Sequence, residues 1–139
     1  MSFTYQIGAA PRVARVQSSS SADLMDLEQA LHDLLSDPQE DLPPILLDLA
    51  RLDDYRVAAA ALVAERLGAG HPRSRARIAI LADGLGGQII ARTLALYLSY
   101  VGFTIEVFTD QLSALSWLLR HGSSSGRDGP TYGIRGDWT

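Results

Sequence analysis

Arg75-Ala-Arg-Ile-Ala-Ile-Leu-Ala-Asp83, then Gly84-Leu-Gly-Gly87, then Gln88 through Val101, is the stretch whose reading decides the fold. Ile78 to Ala82 form an unbroken apolar run, which a strand covered by helices on both faces requires. Asp83 stands where a helix N-cap would stand, its carboxylate able to accept a backbone N–H. Gly84, Gly86 and Gly87 permit a sharp turn and close backbone approach. The helix that follows carries Leu85, Ile89, Ile90, Leu94, Leu96, Tyr97, Leu98 and Val101, and only Gln88, Arg92 and Ser99 mark a polar stripe. A helix apolar over so much of its circumference is expected to bury more than one side. Gly102 ends it at a position that favours a left-handed residue, and Phe103-Thr-Ile-Glu-Val-Phe108 reads as the next strand.

Working outward toward the N-terminus, Phe3-Thr-Tyr-Gln-Ile7 and Val13-Ala-Arg-Val16 flank turn residues and predict a hairpin. The Ser18 to Ser21 run offers a loop and N-caps, and Asp23 adds an acid beside the helix dipole. Leu24, Leu27, Leu31, Leu34 and Leu35 then form one stripe of an amphipathic helix, closed by Pro38. Pro43-Pro44 introduces the strand Ile45-Leu-Leu-Asp-Leu49. Asp53 and Asp54 are placed to cap an alanine-rich helix over 55–67, ended by Gly68-Ala-Gly70. Toward the C-terminus, Thr109-Asp110 caps a last helix whose stripe is Leu112, Leu115, Leu118 and Leu119, with Trp117 beside it. Residues 1–121 read as a single domain, and 122–139 as a polar Gly/Ser-rich tail without periodicity. Helices alternating with three apolar strands require parallel pairing and right-handed crossovers. The expected fold is an α/β sandwich: a mixed sheet of about five strands, made of the hairpin plus parallel strands, with four helices.

Composition narrows the function. A chain of 139 residues, 47% hydrophobic and 20% charged, can bury roughly two-thirds of its unfolded surface in its own core. A net charge of −4 argues against nucleic acid or an anionic membrane surface as a general partner. The absence of cysteine removes disulfide and thiolate chemistry. No apolar run is long enough to span a bilayer, and residues 1–7 lack the pattern of a signal peptide. A cytoplasmic protein of bacterial type is the expectation.

Tyr5-Gln-Ile7 opens a series of motifs that continues with the helix end Leu31 to Pro38 and the strand Ile45-Leu-Leu-Asp-Leu49. Arg77-Ile-Ala-Ile-Leu81 with Gly87 to Arg92 follows, then Val107-Phe-Thr-Asp110 with Ala114-Leu-Ser-Trp-Leu118. In this order and spacing, over residues 3–119, they resemble the SpoIIAA-like group, related to STAS domains and more loosely to the SEC14-like lipid-binding fold. The resemblance implies a small cytoplasmic α/β domain of STAS-like fold, not a known enzyme, and no cofactor is expected. Anti-anti-sigma STAS domains carry a phosphorylatable Ser just after the third strand. Here Arg51-Leu-Asp-Asp-Tyr-Arg56 stands in that place, and no Ser or Thr lies between Leu49 and Arg73. The phospho-switch is therefore not expected.

Each candidate site residue has a structural role as its plainer reading. The Gly84, Gly86, Gly87 loop opens a helix and could face an anion. It lacks the third glycine of a dinucleotide fingerprint, where Ile89 stands, and the Lys of a P-loop, so a tight turn is the simpler reading. Asp48 is either a functional carboxylate or an acceptor for loop N–H groups. Asp53 and Asp54 either mimic a charged site or cap a helix. Arg92 either meets an acidic group of a ligand or partner, or lies along the surface. His32, His71 and His121 look scattered, and no metal site is expected. The serine runs lack an elbow motif, and Arg73, Arg75 and Arg77 read as a solvated loop. The function expected is a non-enzymatic regulatory or binding module acting through protein contacts. The alternative is a carrier or sensor of a small apolar or anionic ligand, held between the Gly84 helix and its neighbours. The excess apolar surface of that helix further predicts a homodimer through Leu96, Tyr97 and Tyr100.

Overall fold

The computed structural model describes residues 3–9, 11–18, 20–36, 42–71 and 76–122. Along the chain these form β1 (Thr4–Ile7), β2 (Ala14–Gln17), α1 (Leu24–Ser36), β3 (Ile45–Asp48), α2 (Val57–Gly70), β4 (Arg77–Leu81), α3 (Leu85–Tyr100), β5 (Thr104–Phe108) and α4 (Gln111–Gly122). Element types and order match the sequence reading. The expected polar tail lies outside the described residues except for Gly122, which is the last residue of α4.

The five strands form one sheet in the order β1-β2-β3-β4-β5. β1 and β2 pair antiparallel, with Tyr5 opposite Val16, and the remaining neighbours pair in parallel. Each helical crossover steps to the adjacent strand in the same direction, so right-handed connections carry α1, α2 and α3 to one face. There Ile45, Leu47, Ile78 and Ile80 of the sheet meet Leu27, Leu31 and Leu34 of α1, Val63 and Leu67 of α2, and Ile90, Leu94 and Leu98 of α3. α4 covers the opposite face, where Leu46 and Ala79 meet Ala114 and Leu118. The alternation of β3 and β4 residues between the two cores explains why these strands read as continuous apolar runs. Because the strand order never reverses, the sheet lacks the switch-point crevice in which doubly wound folds hold their ligands.

Local chemistry sets the helix ends. Gly102 has φ 107°, its N–H bonds to the Ser99 carbonyl, and the N–H of buried Phe103 returns to that of Leu98. This is the expected left-handed C-terminal cap of α3. Three expectations need correction. α2 does not end at Gly68 but runs on to Gly70. A side chain at Gly68 would bring its Cβ within 2.9 Å of Val101 Cγ2, so this glycine admits α3 and does not terminate α2. Asp83 is not the N-cap of α3: Gly84 is, with φ 83°, and the Asp83 carboxylate accepts the Gly84 N–H at 2.9 Å. Finally, Leu112 of α4 is 80% exposed, so the buried stripe of that helix is Ala114 with Leu118, flanked by Leu115 and Trp117.

Candidate functional site

All parallel strands end on the same edge of the sheet, and that edge gathers most of the sequence-predicted residues. Asp48 closes β3 and accepts the Ala50 N–H at 2.9 Å. Alongside it, the Leu49 N–H bonds to the Leu81 carbonyl at the end of β4, which tethers the two loops. Asp53 accepts the Ser21 hydroxyl at 2.9 Å. Asp54 is buried, and it does not cap α2: the N-cap of that helix is Arg56, without a side-chain bond. One Asp54 oxygen accepts the N–H of Leu24 at the start of α1, thirty residues earlier in the chain. Both Asp54 oxygens also take the Arg56 guanidinium, each at 2.7 Å. The Arg56 guanidinium, helped by the Leu24 N–H, holds the Asp54 carboxyl at about 2, against the opposing effect of burial. Asp23 and Asp26 exchange backbone-to-side-chain bonds across the first turn of α1. At α4 the Asp110 carboxylate accepts both the N–H and the hydroxyl of Ser113, and these lower its pKa. The acids of this edge are thus occupied with backbone N–H groups, hydroxyls and one guanidinium.

The glycine loop is filled from within. Gly86 lies under the Tyr55 ring, where an added Cβ would sit 3.0 Å from Tyr55 Cδ1. The Tyr55 hydroxyl donates to the Leu52 carbonyl, and the Gln88 amide to the carbonyl of Ala82. Gly87 is buried, with ordinary room for a Cβ 3.6 Å from that of Ala82.

Arg92, Leu96, Tyr97 and Tyr100 lie elsewhere, along α3. Its sheet-facing side is Gly87, Ile90, Ala91, Leu94 and Leu98. On the opposite side Leu85 is 79% exposed, Ile89 43%, Leu96 55% and Tyr100 81%, with Tyr97 at 42% on the flank toward α2. α4, which could have covered this stripe within one chain, lies across the sheet from it. Contiguous exposed apolar surface of this kind is uncommon on monomers and marks contact sites.

No family model, curated protein or solved structure matches the chain.

Two features escaped sequence reading. A groove of about 670 Å³ runs between α1 and α2, lined by Met25, Glu28, His32, Ala59, Leu62 and Arg66 among others. Arg66 binds the Glu28 carboxylate with two hydrogen bonds of 2.6 and 2.8 Å, and this lowers the Glu28 pKa. At the far end of α1, His32 Nδ1 lies 3.0 Å from His71 Nε2. A hydrogen bond at that distance requires one ring nitrogen to donate and the other to accept, so the two facing nitrogens do not both carry a proton. Burial and the neighbouring His32 lower the His71 pKa. Glu28 and His32 are four apart on one helix face, which was the one signal available in the sequence. Nothing local announced that His71 would join them. Among the described residues, no group of three or more His, Asp or Glu is placed to hold a metal ion.

Proposed function

We propose that the chain is a non-enzymatic binding or regulatory module of STAS-like fold, acting through protein contacts. The observation that carries this reading is the outward stripe of α3, where large apolar side chains stand exposed on a helix already packed on its other side. Its support from the sheet edge is indirect: the carboxylates there are used in caps, and the glycine loop is closed by Tyr55 and Gln88. The loop after β3 has no Ser or Thr to phosphorylate, so the module is read as working without the Ser switch. No helix of the described residues is long and apolar enough to cross a membrane, and we read the module as cytoplasmic.

The test is a photo-crosslinking amino acid at position 100, in place of Tyr100, in the full chain expressed in its own cells. A specific protein adduct that disappears with Leu96→Glu is the expected result. Labelling that is diffuse, or indifferent to Leu96→Glu, would remove the α3 face as a contact surface.

The groove between α1 and α2 supports a second reading, a carrier or sensor of a small amphiphile. Met25 and Leu62 offer exposed apolar surface there, and the Arg56 and Arg66 guanidiniums border it. Mass spectrometry of denatured, freshly purified protein decides it: a stoichiometric small molecule supports the carrier, and a clean polypeptide spectrum counts against it.

A further inference from the structure

We infer that the occupant of the α3 face is a second copy of this chain, seated so that Arg92 of one copy meets Glu65 of the other. The inference rests on the reading of that face as a protein-contact surface and adds the partner.

Three neighbouring rows organise the face. Thr93, Tyr97 and Val101 recur every four residues and look toward α2, because Val101 packs on Gly68 of that helix. Gln88, Arg92 and Ser99 form the opposite flank. Leu85, Ile89, Leu96 and Tyr100 run outward between them. Across the first flank stands exposed Glu65, one turn before Gly68 and therefore on the side of α2 nearest α3. The apolar stripe thus has one cation on one side and one anion on the other. Among the described residues neither Arg92 nor Glu65 has an ion-pair partner, whereas Arg66 and Arg56 are both satisfied within the chain.

A patch built in this way is complementary to itself. A two-fold axis lying in the contact plane, midway between the two charges, exchanges them. It sets each Arg92 against the partner subunit's Glu65, and it passes through the apolar ground around Leu96 and Tyr97. Isologous contacts need this self-complementarity, and tyrosine-rich apolar centres with charged rims are their usual composition. One other exposed route to a dimer, pairing of two β5 edges, is disfavoured. An in-register antiparallel pair would set exposed Glu106 at the middle of β5 against its own copy.

The experiment is light scattering of the full chain across the micromolar range, with circular dichroism of each variant. The expected wild-type mass is twice 15.0 kDa. Arg92→Glu and Glu65→Arg each place like charges together twice by symmetry. Each should weaken association by roughly tenfold to a hundredfold, and the Arg92→Glu/Glu65→Arg double variant should recover most of that loss. Both substitutions are at exposed positions, so the helical signal of all three variants should be unchanged. A mass of one chain at every concentration overturns the inference. If the position 100 crosslinker still captures a different protein, the contact-surface reading survives that result, and if it captures nothing, both fall. A dimer that ignores the single charge reversals, or that the double variant fails to restore, also overturns the inference, because its interface would lie elsewhere.

Discussion

Replacing Asp54 by Ala removes the side chain that binds the first N–H of α1 from the loop before α2. The Leu24 N–H loses its acceptor at 3.2 Å, and the Arg56 guanidinium loses both oxygens. The cap is worth about 1 kcal/mol, and leaving the donor unsatisfied beneath the loop adds roughly another 1–2 kcal/mol. The ion pair adds little to this, because the Arg56 side chain is 68% exposed and screened by solvent. The expected loss is therefore about 2–3 kcal/mol near neutral pH, a fall in melting temperature of roughly 6–12 °C for a chain of this size. The effect also has a pH signature. The Asp54 carboxyl is lowered from its ordinary 3.8 to about 2, so its contribution is present above about pH 4 and is lost as pH falls through 2. Asp54→Asn keeps an acceptor for Leu24 but gives up the charge, and should fall between wild type and Ala. Urea unfolding followed by circular dichroism, at neutral pH and at steps down to pH 2, measures both quantities. If Asp54→Ala lies within about 0.5 kcal/mol of wild type, or keeps the wild-type loss of stability on acidification, the reasoning fails.

Gly68→Ala should cost about 1–3 kcal/mol, because its Cβ would press on the stiff β-branched Val101. Adding Val101→Ala should return part of that loss, and a double-mutant cycle in denaturant that shows strict additivity would contradict the contact. The lowered pKa of His71 means that the unfolded chain binds its proton first, so stability should fall as pH drops below about 6.5. His71→Gln should reduce that slope between pH 7 and 5, and an unchanged slope would mean that other groups carry it. Leu94→Ala, in the fully buried row of α3, should cost about 2–5 kcal/mol in the same unfolding assay.

Much of the architecture was legible from local pattern alone. The apolar run at Ile78 to Ala82 and the alternation in the N-terminal strands were enough to place the strands along the chain, since burial imposes a period on each segment whatever covers it. Gly102 was readable for a similar reason: a left-handed residue after a helix is a one-residue requirement. The surplus of apolar residues on α3 was also visible in the sequence, and the structure places that surplus outside.

What tertiary structure alone decided are relations between segments distant in the chain. Asp54 looks like a cap for the helix beside it, yet it caps α1, because the Ala22–Leu52 bridge brings that earlier helix end to the same edge of the sheet. His32 and His71 meet because α1 and α2 pack side by side as consecutive right-handed crossovers. α4 leaves α3 uncovered because, following the last strand, it lies on the opposite face of the sheet. Sequence periodicity records which side of an element is buried; which element does the burying is fixed only when the crossovers choose a face.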